Sequence, residues 1–371
     1  MLRQFISELQ QKLSHAYWRG MIIFCGDEPW LNDNRKIIRQ TLVEQSSLYY
    51  NASTEIDEKC YENVCNSKNY RRHLGSQWQN VLFDATDEFN VDALGALSGT
   101  VMAGGLLVVF IDDKQCQQSN FVKRLLKVAE QQPYCFVIND KTEIPSITAT
   151  EEFQTEFNSE ILPCFNSEQY ELVKQIIKVS TGHRHRPLIL TADRGRGKSS
   201  ALAIACADLL MQNNKHIAIT APHKDALQVF YKQLETCLPS AEKRNNTITF
   251  GTSSLQFVAV DTLLAELPVC HMLIIDEAAA IPLPQLRILN KHYPRVVFSS
   301  TIHGYEGAGR GFSGKFMAEV KALRPDANFY QLHTPIRWAP NDPLEAFTFD
   351  GLLLNANYQH NILSENSSSA V

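Results

Sequence analysis

The sequence has no apolar run near the roughly 20 residues that a membrane-spanning helix needs, so no membrane association is expected. It has no CxxC pair. Its nine cysteines, Cys25, Cys60, Cys65, Cys116, Cys135, Cys164, Cys206, Cys237 and Cys270, are scattered and odd in number. The nearest two, Cys60 and Cys65, are followed by no second pair at ligand spacing. A disulfide frame and a structural zinc site are discounted on that ground, and a reducing, cytoplasmic compartment is the expectation. Excess positive charge is missing too. Net charge is −5, so any contact with RNA or DNA must come from a local basic patch. No internal repeat or low-complexity tract is present beyond the Ser-rich end SENSSSAV, which is expected to fray. No Ser/His/Asp triad order and no glycosidase-type carboxylate pair stands out, and His271 and His303 read as structural.

What is there is ordinary globular material, 44% apolar and 20% charged, in a chain long enough for about two or three domains. The opening segment spaces Leu2, Phe5, Ile6, Leu9 and Leu13 as one face of a helix and lacks the form of a signal peptide. Apolar runs at 19–26, 78–86, 106–112 and 134–140 then alternate with amphipathic stretches. Strands of this kind between helices predict a Rossmann-like parallel sheet covered on both faces. The stretch NVDALGALSGTVMAGG reads as helical until Gly104 and Gly105 break it. No glycine-rich phosphate motif follows any of these strands. This accessory α/β domain is placed at 1–150, and the polar stretch 141–165 serves as the connection. A second doubly wound α/β domain is placed at 151–355, with its first helix starting at Ser167, and a tail at 356–371. Its order of strands and helices suits a RecA/RecD-like P-loop NTPase core.

The chemistry concentrates in that second domain. The stretch TADRGRGKSSALA follows the apolar run PLIL and matches GxxxxGK[ST] at Gly197, Lys198 and Ser199, with Ala192 where the pattern has glycine. Such a loop wraps backbone N–H groups around the β- and γ-phosphates, sets a lysine charge over them and offers a hydroxyl to Mg²⁺. The following helix adds its positive end. Gly195 and Gly197 remain where backbone must approach phosphate, Arg194 and Arg196 add charge, and alanine suits position 192 wherever φ is negative. The plainer alternative is a Gly/Arg surface turn with a chance GKS, which leaves the strand–loop–helix order unexplained. In MLIIDEAAAIP an apolar strand delivers Asp276 and Glu277, suited to Mg²⁺ and to polarising water. Strand VVFSSTI ends in Ser299, Ser300 and Thr301, hydroxyls fit to sense a γ-phosphate, and a loop with Tyr305, Glu306 and Arg310 follows. Arg337 in TPIRWAP is either a charge reaching the γ-phosphate from the side or an arginine stacked on Trp338 or paired with a surface acid. Gln169, ahead of the cradle, is a candidate reader of an adenine edge. The ITAP stretch at 219–222, near His223 and Lys224, is a candidate backbone contact for nucleic-acid phosphate.

Taken together, TADRGRGKSSALA, LIIDEAAAIPLPQL, STIHGYEGAGRGFSGKF and PIRWAPNDPLE resemble the tRNA(Met) cytidine acetyltransferase family, TmcA, as does VLFDATDEFNVDALGALSGTVMAGGLLVVFI. The likeness runs from about residue 20 to about residue 355. It implies an N-terminal accessory domain followed by a RecD-like RNA helicase module. In the family, ATP hydrolysis by that module supports acetylation of N4 of the wobble cytidine of elongator tRNA(Met), with acetyl-CoA as donor. It carries nucleotide contacts onto Gln169, onto Gly195, Arg196, Gly197, Lys198, Ser199 and Ser200, and onto Arg337. Mg²⁺ falls to Ser199 and Asp276, and water activation to Glu277. Family members continue into a GNAT acetyltransferase domain, which these residues lack. The expectation is therefore an ATP-hydrolysing module that cannot transfer acetyl groups alone, with acetyl-CoA relevant only through a GNAT domain on another chain. Two alternatives stay open: a non-catalytic nucleotide- or tRNA-binding remnant, and a subunit of a split acetyltransferase.

Overall fold

A computed structural model describes residues 1–42, 44–52, 62–149, 151–153, 162–302 and 312–354. His303, Tyr305, Glu306, Arg310, Cys60 and the 356–371 tail lie outside the described residues.

The described strands form two sheets. The first holds β1 (Gly20–Gly26), β2 (Ser47–Asn51), β3 (Val64–Cys65), β4 (Trp78–Asp84), β5 (Val101–Asp112) and β6 (Cys135–Asn139). They lie in the order β3-β2-β4-β5-β1-β6, with every pair parallel. Side chains alternate across it as strand geometry demands. Met21 and Ile23 of β1 enter one apolar cluster, and Ile22 and Phe24 enter the other. Both faces are therefore dry, which explains why these strands read as unbroken apolar runs. The helix Leu2–Ala16 covers one face through Phe5, Ile6, Leu9 and Leu13.

The second sheet holds β7 (Leu188–Ala192), β8 (His216–Thr220), β9 (Glu242–Arg244), β10 (Thr247–Phe250), β11 (Ser253–Phe257), β12 (Met272–Ile275), β13 (Val296–Thr301) and β14 (Asn328–Leu332). Their order is β14-β7-β13-β12-β8-β11-β10-β9. It is parallel from β14 to β11, and the edge β11-β10-β9 is antiparallel. The same alternation recurs, with Leu188 and Leu190 on one face and Ile189 on the other. The parallel strands put Ala192, Thr220, Ile275 and Thr301 at one edge, the carboxyl edge where open α/β sheets bind ligands.

Three features depart from the sequence expectation. Gly104 and Gly105 do not end an element: β5 begins at Val101 and runs through them. Gly104, at φ +78°, packs against Ser14, and a Cβ on Gly105 would fall 1.9 Å from the Gln79 carbonyl. These glycines permit a bulge opposite Trp78–Asn80 rather than a stop. The strands β3, β9 and β14 at the sheet edges, and β2 and β10 beside two of them, had no clear apolar signal; all three residues of β9 are exposed. Finally, the helix Pro343–Gly351 turns back onto the first sheet, where Leu344 and Phe347 join the cluster of Met21 and Ile23.

Candidate functional site

Strand β7 leads straight into the phosphate-loop sequence. Ala192 is its last residue, fully buried and paired in register with Thr301 and Leu332. An extended residue between two strands has no need of glycine. The turn itself does: Gly195 and Gly197 sit at φ +77° and +82°, the left-handed region that side chains resist. Space demands them as well. A Cβ on Gly195 would lie 2.6 Å from the Trp338 ring, and one on Gly197 would lie 2.4 Å from Ile336 Cδ1. The helix Lys198–Met211 then starts at Gly197 with no side chain capping it. Its first N–H groups face the loop as donors without intrahelical partners. By contrast, Asn166 caps the helix Ser167–Thr181 by accepting from the Gln169 N–H.

Strand β12 delivers the acids, with β13 between it and β7. Asp276 is 1% exposed. Its Oδ2 accepts the Ser199 hydroxyl at 2.9 Å, and its Oδ1 accepts the Ser299 hydroxyl at 2.8 Å and the Glu277 N–H at 3.0 Å. Burial, and then the adjoining Glu277 charge, raise the Asp276 carboxyl above its ordinary value, against Lys198, Ser299 and Ser199. Glu277 occupies the left-handed region at φ +49°, an unusual place for a non-glycine residue. Its carboxylate accepts the Thr301 hydroxyl at 3.2 and 3.3 Å. The same hydroxyl oxygen accepts from Lys198 Nζ at 2.9 Å. Lys198, Ser199, Asp276, Glu277 and Thr301 are thus one connected cluster. Ser300 faces elsewhere and accepts the Ala279 N–H at 3.3 Å.

The remaining predicted residues surround this cluster. Gln169 is 2% exposed; its amide donates to the Gly197 carbonyl at 3.3 Å and accepts the Phe165 N–H at 2.8 Å. The Arg196 guanidinium is occupied: it pairs with Glu345 and donates to the carbonyls of His333 (2.9 Å) and Arg194 (3.0 Å). Ser200 lies in the first turn of the helix, half-buried. Arg337 follows Ile336, whose N–H donates to the Gly195 carbonyl at 2.8 Å. Burial, and then Arg194 and Arg19, lower the Arg337 pKa. Among the described residues it forms no ion pair, the nearby ones joining Arg19 to Asp342 and Arg196 to Glu345. The stacking reading for Trp338 goes to another arginine: the Arg19 guanidinium lies 3.3 Å from that ring's centroid. Sequence reasoning overlooked Arg19, Asp342 and Glu345. The signal was present in NDPLE, where an acid before proline and a glutamate three residues on mark a capped helix start.

A parallel strand that runs through a left-handed glycine turn into a helix, facing two acids from a strand two places away, defines a P-loop NTPase domain. It follows a Rossmann-like α/β domain. Residues 189–355 match the family described as RNA cytidine acetyltransferase NAT10/TcmA, helicase domain, and residues 1–140 match tRNA(Met) cytidine acetyltransferase TmcA, N-terminal. The chain is 35% identical over 358 residues to a tRNA(Met) cytidine acetyltransferase TmcA of Vibrio cholerae, covering 95% of this chain and 48% of the relative. It is 30% identical over 383 residues to one of Nitrosococcus halophilus, covering 96% and 50%. The chain belongs to the tRNA(Met) cytidine acetyltransferase family and carries its N-terminal and helicase regions. It spans about half the length of these curated relatives. A solved large terminase from a thermophilic bacteriophage is similar at 14% identity and a TM-score of 0.35, over 44% of this chain and 45% of that one. Among the described residues no helix is long and apolar enough to cross a membrane.

Proposed function

We propose that this chain binds Mg·ATP at residues 193–200, hydrolyses it, and uses the cycle to handle RNA in the service of cytidine acetylation on tRNA(Met). The observation that carries the reading is the single hydrogen-bonded cluster of Lys198, Ser199, Asp276, Glu277 and Thr301. The loop backbone from Gly195 through Ser200, Arg196 included, binds the phosphates, and Lys198 neutralises their charge. Gln169 braces the loop beside the adenine end. The Ser199 hydroxyl and the Asp276 carboxylate are hard oxygen donors, and nucleotide-bound Mg²⁺ draws on only one or two protein carboxylates, so the set fits that ion. Mg²⁺, when bound there, supplies positive charge against the phosphate oxygens. Glu277 exchanges the Thr301 hydroxyl for a water and orients it for in-line attack. Arg337, a half-buried cation beside Arg194, lends charge to the transferring phosphoryl group.

The relatives' names supply tRNA(Met) as the RNA and acetyl transfer to cytidine as the purpose; we add acetyl-CoA as the donor, used by an acetyltransferase domain acting with these two. A compartment with free tRNA and ATP, the cytoplasm, follows from the same reading. The test is ATP hydrolysis by the purified chain with and without tRNA(Met), run beside an acetyl-CoA transfer assay. Hydrolysis stimulated by tRNA supports the proposal, and absence of Mg·ATP binding sinks it.

A further inference from the structure

The phosphate loop is fastened to the first domain. Arg19 stands just before β1, 2% exposed, and Asp342 just before the helix Pro343–Gly351, 1% exposed. Arg19 Nε and Nη2 donate to Asp342 Oδ1 at 3.1 and 2.8 Å, and the Arg19 backbone N–H donates to Oδ2 at 2.6 Å. Its remaining arm donates to the Ser98 carbonyl at 3.0 Å. Asp342 in turn accepts the Glu345 N–H at 2.7 Å, which fixes the first turn of that helix. One Glu345 oxygen takes Arg196 of the phosphate loop, and the other takes Trp338 Nε1 at 3.3 Å. The Trp338 ring, with Arg19 stacked upon it, closes over Gly195. Leu344 and Phe347 anchor the helix in the first sheet's core. A second contact lies alongside, where Arg194 of the loop packs against Gly99.

We propose that the first domain sets the conformation of the phosphate loop through the chain Arg19–Asp342–Glu345–Arg196, so that Glu345 and Asp342 are positioning residues for nucleotide binding. The claim rests on the Mg·ATP reading of the loop only for its consequence, not for its mechanics. Buried charge pairs add little net stability over an apolar replacement, but they fix one geometry, because any other leaves a charge unpaired in a dry place. Here that geometry includes the backbone of residues 194–197, which must present its N–H groups to phosphate. The coupling is reciprocal: nucleotide held by the loop tightens the docking of the first domain by the same factor.

The test uses the full chain and three variants: Glu345→Ala, Glu345→Gln and Arg19→Lys. Arg19→Lys keeps the charge and loses the fork, at a residue whose hydrogen bonds go to Asp342 and Ser98. Two readouts are needed, hydrogen exchange of the amides of residues 194–200 without nucleotide and affinity for a fluorescent ATP analogue with Mg²⁺. Glu345→Ala and Arg19→Lys are expected to speed loop exchange and to weaken binding by roughly three- to tenfold. The turnover rate at saturating ATP stays near wild type, and Glu345→Gln, which keeps an acceptor for Arg196, recovers most of the loss. Unchanged exchange and affinity in both Glu345→Ala and Arg19→Lys overturn the inference and reduce the network to a domain joint. If the wild-type chain binds no Mg·ATP, the functional proposal falls, and the exchange measurement alone still decides the coupling.

Discussion

The hydroxyl of Ser199 donates to Asp276 Oδ2 at 2.9 Å, joining the first turn of one helix to the end of a strand two places away in the sheet. Neither residue type is informative alone. Their meeting is, because a buried carboxylate whose neighbour is Glu277 needs positive charge nearby, and Lys198 is the cation that favours its ionised form. Asp276→Asn keeps the shape and removes the charge. ATP turnover is expected to fall by roughly 10²-fold or more. The melting temperature is expected to stay level or rise, since the cost of burying a carboxylate beside Glu277 is removed. Hydrolysis assays and thermal melts check both halves; full turnover in the variant removes Asp276 from the site.

Lys198 tests the same cluster from the other side. It is 8% exposed and its ammonium has Thr301 as hydrogen-bond partner. Lys198→Ala is expected to abolish measurable hydrolysis, a loss of about 10²-fold or more. The fold is held by other groups, so circular dichroism should match the parent. Unchanged turnover would end the ATPase reading.

Arg337 sets function against stability. Burial and two neighbouring arginines disfavour its charged form, and among the described residues no ion pair offsets them. Arg337→Met removes like-charge repulsion and is expected to stabilise the nucleotide-free protein by roughly 0.5–2 kcal/mol. It also removes the cation proposed to face the transferring phosphoryl group, and on that reading turnover is expected to fall about 10³-fold. Denaturant melts and hydrolysis rates decide it: a variant that loses stability, or keeps turnover, assigns Arg337 a structural role instead.

The sequence displayed what depends on local pattern. Buried strands such as β1 and β7 are continuous apolar runs because helices cover both faces, and the glycine turn carries its own signature. The residues Lys198, Ser199, Asp276, Glu277 and Thr301 were each visible as strand ends and loop members, and parallel topology brings such ends to one edge. What stayed hidden depends on distant partners. Gly104 and Gly105 looked like a stop because only the packed fold supplies Ser14 and Gln79 for them to approach. The tie of the Arg196 side chain to Glu345 stayed hidden because nothing near Arg196 in sequence reveals a partner 149 residues onward. Likewise, the helix Pro343–Gly351 follows the second sheet in sequence, yet its apolar face completes the first.

The two small residues that flank the loop argue opposite cases. Position 192 departs from the glycine of the usual pattern, while Gly197 keeps it, and the geometry at each explains why. Ala192 is extended and paired on both sides, so Ala192→Gly only loosens the unfolded chain and the strand. It is expected to destabilise by about 0.5–1 kcal/mol with no gain in nucleotide affinity. Gly197→Ala meets φ +82°, which resists a side chain by about 1–2 kcal/mol. Its Cβ would also press within 2.4 Å of Ile336 and 2.8 Å of Gln169 Nε2. The loop must move to admit it, and Mg·ATP binding is expected to be lost with it. Titrating both variants with a fluorescent nucleotide separates the cases. Tighter binding by Ala192→Gly, or unimpaired binding by Gly197→Ala, would mean that the turn seen here is not the one that holds phosphate.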